Sequence, residues 1–179
     1  RIRLGEGASF IRQVAVAGKE GRQFGAGPGR VQQPQGWQRL GSESGIWNSG
    51  ANAMVVRRTR SGQAEIWISA WKQGVGRFDP RTAHFDCPFP GFTSQSPTSM
   101  AVVPSPDGED ELWVGTYDQG LARYNGRNWE WLGRDKGFPS TGVYNILVNP
   151  FGRPLLWAGS RGAGLVAVTT LLSMWLQVP

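Results

Sequence analysis

The sequence predicts an all-β chain: a β-propeller segment of about four blades, each a four-stranded antiparallel sheet, forming an open arc from a larger propeller. Three observations predict it. First, Leu112 to Trp129 reads as three short strands, Leu112–Thr116, Leu121–Tyr124 and one beginning at Trp129. Second, the stretch recurs. Ile66-Trp67-Ile68-Ser69-Ala70 lies 46 residues upstream and Leu156-Trp157-Ala158-Gly159-Ser160 lies 44 downstream, each followed by a polar tip and a glycine-led strand. A period in the mid-forties with several strands per period marks propeller blades. Third, these strands are apolar without polar alternation, as expected when both faces of a sheet are covered. An ordinary β-sandwich lacks such repetition of Gly, Trp and Gly at matched offsets.

Each unit begins with a further strand, here called a. The apolar runs Met54-Val55-Val56, Met100-Ala101-Val102-Val103 and Tyr144-Asn145-Ile146-Leu147-Val148 fill it. Gly62, Gly108 and Gly152 then form the turn into strand b, which carries the tryptophan. A polar tip leads to strand c, where Gly74 and Gly120 are expected at positive φ. Strand d is aromatic: Phe85, then Trp129 and Trp131, then Trp175. The c–d turns differ. Asp79-Pro80-Arg81-Thr82 suits a type I turn with proline second, and Asn125-Gly126 predicts a two-residue type I′ turn.

Taken in order, residues 1–41 read as a degenerate first copy, with Val14-Ala15-Val16-Ala17-Gly18 in place of strand b and Gly36-Trp37-Gln38-Arg39-Leu40 in place of strand d. Gly25-Ala26-Gly27-Pro28-Gly29 is not a phosphate loop, because no Lys-Ser/Thr follows. The other blades fall at about 51–89, 98–132 and 143–179, so that 1–179 is one propeller region. The apolar end of the chain, Gly164 to Pro179, is too short and too polar to span a membrane and is assigned to strands c and d. The chain starts at Arg1 without Met or a basic-then-apolar leader, and is expected to be an excerpt of a longer protein.

Leu112-Trp113-Val114-Gly115-Thr116, followed by Gly120-Leu121-Ala122-Arg123-Tyr124-Asn125-Gly126 and an aromatic strand, resembles the two-component regulator propeller repeat. Lys136-Gly137-Phe138-Pro139-Ser140-Thr141-Gly142-Val143-Tyr144 matches the linker that family places before its next blade. The resemblance covers residues 52–168. Copy two departs at Ser69-Ala70, where the motif has Gly-Thr, and copy four departs after Val168. The resemblance implies the periplasmic or extracytoplasmic sensor propeller of a bacterial hybrid histidine kinase, a signal-transduction module that binds ligands such as saccharides. The partners it implies are a small-molecule or oligosaccharide ligand, the remaining blades of the parent propeller and a homodimer formed through the parent.

The residues themselves carry little catalytic chemistry. With one His (His84) and one Cys (Cys87), a zinc site of about four such ligands is excluded, as is an internal disulfide. A triad has only His84 to draw on, and that residue falls on outer strand d. No cofactor motif is present. Asp107-Gly108-Glu109-Asp110-Glu111 lacks the spacing of a calcium loop and reads as a solvated a–b turn. Net charge is +6, yet the aromatics that would serve nucleic-acid binding sit at repeat-locked packing positions, so no nucleic-acid or membrane partner is expected. Arg57-Arg58-Thr59-Arg60 also reads as a solvated turn.

Binding is expected at the b–c tips, which vary while the framework repeats. Trp71, Lys72, Tyr117, Asp118 and Arg161 occupy equivalent tips of three units, and equivalent tips of adjacent blades converge. Flat aromatics, cations and a carboxylate together suit a saccharide, an acidic one included. The reading is a non-catalytic ligand-sensing segment. Two alternatives stand: a protein-interaction scaffold, and a glycan-active enzyme of propeller fold. The last needs two carboxylates facing one cleft, and the tips offer only Glu20 and Asp118.

Overall fold

A computed structural model describes residues 14–16, 38–40, 42–45, 51–87, 89–149, 155–169 and 175–177. Strands β1 (Val14–Val16) and β2 (Gln38–Leu40) pair in parallel. Three antiparallel four-stranded sheets follow. The first holds β3 (Ala51–Arg58), β4 (Ala64–Ala70), β5 (Gly74–Asp79) and β6 (His84–Asp86). The second holds β7 (Pro97–Val103), β8 (Glu111–Thr116), β9 (Leu121–Tyr124) and β10 (Trp129–Leu132). The third holds β11 (Val143–Val148), β12 (Leu155–Ser160), β13 (Gly164–Thr169) and β14 (Trp175–Gln177). In every one of these sheets the strands neighbour one another in chain order, a meander. The direct parallel pairing of β1 and β2 differs from the strand b and strand d places expected of them, since c separates b from d in an antiparallel meander. The residues between those two strands lie outside the described ones, and so do Gly152 and Val178-Pro179.

The first strands of the sheets lie against one another, β3 on β7 and β7 on β11. The sheets therefore stack in chain order as a partial propeller. Alternation along each b strand decides which way a side chain faces. Trp67 faces the second sheet and packs with Met100, Leu112 and Val114. Trp113, its counterpart, faces the third sheet and packs with Val143, Leu156 and Ala158. Both indoles are almost fully buried. Trp157, the third counterpart, is half-exposed, and Leu147 and Leu165 of the same sheet are open to solvent. Met54 and Val56 are likewise exposed on β3.

A second repeat surrounds the tryptophans. Glu65 and Glu111 sit two residues before Trp67 and Trp113, and Arg77 and Arg123 are the cross-strand partners of those tryptophans. Each indole N–H donates to its glutamate at 3.1 Å. Arg77 pairs with Glu65 at 3.1 Å, and Arg123 pairs with Glu111. The indole thus keeps a hydrogen-bond partner inside an apolar interface. In the third sheet these places are taken by Leu155 and Ala167, so the Glu–Arg pair is absent there.

The register of each first strand shifts at one residue: Asn52, Thr98 and Tyr144. Such a bulge turns one side chain out of the ladder. Asn52 Nδ2 donates to Pro97 O at 2.9 Å, and Thr98 Oγ1 donates to Val143 O at 2.5 Å. Each of these two bulges therefore reaches the first residue of the next sheet. In the first sheet, where Ser69 replaces the motif's glycine, Ala53 N donates to Ser69 Oγ at 3.1 Å.

Two turns expected to be solvated are joined to each other. Arg57 is 1 % exposed. Its guanidinium donates to Glu65 at 2.8 Å, to Glu109, and to Asp110 O at 2.7 Å, and it lies 5.2 Å over the Tyr124 ring. Arg60 pairs with Asp107 at 2.5 Å. The basic turn of one sheet is thus clamped on the acidic turn of the next. The reason lies in the stacking: an arginine at the end of β3 faces the neighbouring sheet, and burial there requires carboxylates. The Asn125-Gly126 turn also differs from the two-residue form. Trp129 pairs with Tyr124, leaving a four-residue loop, and only Gly126 has positive φ. Asn125 Oδ1 accepts from the amides of Arg127 (3.0 Å) and Asn128 (2.9 Å), so an Asx turn replaces the type I′ hairpin.

Gly120 and Gly74 do take positive φ, +82° and +94°. A Cβ on Gly120 would lie 2.8 Å from Leu132 O, whereas one on Gly62 meets nothing within 4 Å. Gly120→Val is expected to destabilise by about 1–3 kcal/mol and Gly62→Ala by about 1 kcal/mol, from φ alone. Urea denaturation of the two variants checks the order.

Arg57→Ala removes one partner of a buried pair. The expected loss is about 2–4 kcal/mol, just under the usual range for buried pairs because the two glutamates keep some exposure. The clamp also carries a pH signature. The Ser105 hydroxyl, the Glu109 amide and Arg60 hold Asp107 down at about 2. The Arg60 amide and the Arg57 guanidinium lower Glu109. Carboxylates depressed in the folded state stabilise it above their unfolded pKa, and that share is lost as pH falls towards 2. The melting temperature of the wild type is therefore expected to drop below about pH 4 more steeply than that of Arg57→Ala.

Candidate ligand-binding rim

Linkers and tips share one end of the stack. Lys72 N donates to Gln95 O at 2.7 Å and Gly120 N to Thr141 O at 2.7 Å. Tyr117 N donates to Ser96 O at 2.9 Å and Arg161 N to Gly142 O at 2.8 Å. Gln95 and Thr141 hold matched places and accept from the tip of the preceding sheet. Ser96 and Gly142 accept from the tip of their own sheet. Each linker therefore ties two neighbouring tips together, and this fixes where tip side chains meet.

They meet best between the second and third sheets. Arg161 Nη1 donates to Tyr117 OH at 3.0 Å, and its guanidinium carbon lies 5.3 Å from the Tyr117 ring centre. Tyr144, the bulge residue of β11, completes the group, with its ring centre 6.1 Å from that of Tyr117. All three side chains are exposed. A guanidinium held against a phenol ring loses less freedom when it engages an acceptor. Sequence reasoning missed Tyr144. Its signal was the bulge position, since Tyr144 stands where Asn52 and Thr98 stand.

Asp118 is placed differently. Ser94, 2 % exposed, donates to Asp118 Oδ1 at 2.6 Å, so the carboxylate is fixed towards the linker. Trp71 and Lys72 form the neighbouring tip. Trp71 is 37 % exposed and Lys72 is exposed. Among the described residues, no side-chain contact joins either of them to Tyr117 or Arg161. The five residues expected at the rim thus lie on one end of the stack, with one bonded pair among them.

Lys72 has φ +64°, a left-handed conformation, and the third sheet has Gly162 at the matched place with φ +78°. The b–c turns of these sheets therefore want glycine there. In the second sheet the Thr116 hydroxyl closes the tip instead, donating to Gly120 O at 2.9 Å and accepting from Gln119 N at 3.0 Å. Ala70 has no such hydroxyl, and Gln73 N bonds Ala70 O at 3.1 Å.

The remaining chemistry is sparse. Among the described residues, no group of three or more His, Cys, Asp or Glu is arranged to hold a metal ion. His84 lies exposed on edge strand β6. Cys87 is a free thiol that donates to Gln73 O at 3.3 Å, and burial pushes it up to about 12, which makes it a poor nucleophile. No helix among the described residues is long and apolar enough to cross a membrane.

No protein-family model and no curated protein matches the chain. Several solved structures match it in fold. The chain superposes with a TM-score of 0.56 on the extracellular domain assigned to hybrid two component system BT3049 of B. thetaiotaomicron, at 18 % identity, covering 74 % of this chain and 18 % of that one. The corresponding domain of hybrid two component system BT4673 gives 0.55 at 18 % identity over 83 % of this chain and 19 % of that one. A second BT4673 structure, described as of a one component system, gives 0.56 at 17 % identity, covering 83 % and 20 %. The likeness is one of fold, and the chain spans about a fifth of the length of these domains.

If the left-handed Lys72 is held against its own preference, Lys72→Gly should leave stability unchanged or raise it by up to about 1 kcal/mol. Denaturant midpoints of wild type and variant check this.

Proposed function

We propose that the chain is a non-catalytic ligand-sensing propeller segment from the extracytoplasmic part of a bacterial two-component regulator, and that it binds a saccharide-type ligand at the tip rim. The observation that carries the reading is the Tyr117–Arg161 pair: two side chains 44 residues apart, from adjacent sheets, preorganised on the end where variable tips gather. Lys72 supports it, since a non-glycine residue in a left-handed backbone conformation is the kind of strain that gathers at ligand sites. In this reading Trp71 and Tyr117 stack on sugar rings, Lys72 and Arg161 bond hydroxyl or carboxylate oxygens, and Asp118 accepts from hydroxyls. The fold shared with extracellular domains of two-component systems supports the extracytoplasmic setting.

The exposed Leu147 and Leu165 and the half-exposed Trp157 on the third sheet, and exposed Met54 and Val56 on the first, support a place between further blades of a parent propeller. The same apolar surfaces favour the protein-interaction scaffold as the second reading. The enzyme reading gains nothing from the rim, where Asp118 is the one carboxylate among the described tip residues and is held by Ser94.

Thermal-shift screening against neutral and acidic oligosaccharides, followed by calorimetry on the full-length parent, tests the proposal. Trp71→Ala, Lys72→Ala and Arg161→Ala are each expected to weaken binding about tenfold, ~1.4 kcal/mol. Binding by all three that equals the wild type would place the site elsewhere. Shortened oligosaccharide products in the same mixtures would favour the enzyme.

A further inference from the structure

The tip of the second sheet faces two ways. Tyr117 turns to Arg161, and Asp118 to Ser94. Gln119 turns outwards, its Oε1 accepting from Thr93 Oγ1 at 2.9 Å. That bond orients the amide, leaving its N–H2 group to donate elsewhere. Beside it lies a cleft of about 310 Å3 lined by Gln119, Trp131, Gly133, Arg134, Asp135 and Thr141. Trp131 is half-buried. Its indole is tilted against Phe92 with ring centres 5.2 Å apart, so packing sets its position while part of it lines the cleft. The residues that line the cleft with it carry an amide, a guanidinium, a carboxylate and a hydroxyl.

Trp131 and Trp175 are matched d-strand aromatics, but the Gly133 to Thr141 linker that walls the cleft is ordered by its own bonds. Phe138 N donates to Gly133 O at 3.0 Å, and Thr141 O holds the tip through Gly120 N at 2.7 Å. A Cβ at position 133 would lie 2.9 Å from Asp135 Oδ1, so the glycine keeps that wall open.

We infer that this cleft is a second ring subsite, and that the recognition surface runs outwards along the β8–β9 tip from Tyr117 to Trp131. The inference rests on the rim reading given above, and adds to it the place and the residues that hold an outer unit of the ligand. A half-buried indole in a cleft that has room for a six-membered ring and is lined by mixed donors and acceptors favours a polyhydroxylated ring over a purely apolar or purely ionic ligand. Trp131, Gln119, Arg134 and Thr141 are then specificity-determining residues for the outer unit.

The test is an amide and indole NMR titration of the chain with two probe series, cello-oligosaccharides and oligogalacturonates of one to four residues, each to 20 mM, on the order of the weakest binding worth reading. The Trp131 indole N–H and the Gly133 amide are expected to shift with the tetramer of at least one series. Apparent affinity is expected to rise at least tenfold from monomer to tetramer. Trp131→Ala should abolish that gain while leaving shifts at the rim, and Arg134→Ala, a surface change that preserves folding, should reduce it. If neither series moves the Trp131 indole or Gly133, or if both variants keep the full gain, the outer subsite is refuted. Shifts at Trp131 without any at the amides of Tyr117 and Arg161 would keep the cleft and refute the rim.

Discussion

A sheet with two apolar faces has no stable solution by itself, and every other feature of this chain follows from that constraint. Leu112 and Val114 need a neighbour on one side, and Trp113 needs one on the other. Burial of one such tryptophan is worth several kcal/mol at ~25 cal/mol per Å2, which exceeds what a single bulge bond or ion pair contributes. Stacking is therefore set by the indoles. The polar repeats decide the register and angle at which the sheets stack. The Glu65–Trp67–Arg77 and Glu111–Trp113–Arg123 groups satisfy the buried indole N–H. The bulge side chains of Asn52 and Thr98 fix the inner edge, and the Arg57 clamp fixes the end opposite the tips.

The tips then have little freedom. A linker that accepts from the preceding tip at Gln95 or Thr141, and from its own tip at Ser96 or Gly142, sets tip spacing through backbone bonds alone. Side chains on the tips are released from structural duty and vary. Trp71, Tyr117 and Arg161 hold one place in three sheets and are three different residues, two aromatic and one cationic, while the tryptophans beneath them are the same in all three copies. A rigid frame with interchangeable tips is how repeat scaffolds acquire binding surfaces.

Much of this was legible in the sequence, because packing repeats. The strands, their order and the positive φ of Gly74 and Gly120 all followed from residues recurring 44 to 46 apart. What could not be read was interaction between copies. Arg57 to Arg60 and Asp107 to Glu111 look like ordinary solvated turns taken one at a time. Only the stack shows that each is the other's counterion. Asn125-Gly126 misled for a local reason: the asparagine side chain competed successfully for the turn amides. Within the candidate rim, tip equivalence located Tyr117 and Arg161, but it gave no account of Tyr144, whose exposure comes from a bulge, or of Trp131, whose d-strand position looked purely structural.

The third sheet shows how the framework changes where it meets solvent. Its forward face lacks the Glu–Arg pair that screens Trp67 and Trp113, because Leu155 and Ala167 hold those places. A Glu–Arg pair belongs at the wet margin of an interface, where partial hydration offsets the desolvation of both ions. Apolar residues in the same register carry no such charge to keep hydrated. Leu147 and Leu165 of the same sheet are exposed, whereas Trp67 and Trp113 of the first two sheets are covered by the sheet that follows. The variation therefore lies in the chemistry of the faces as well as in the tips. Successive sheets share one backbone plan and differ in what each face is prepared to meet.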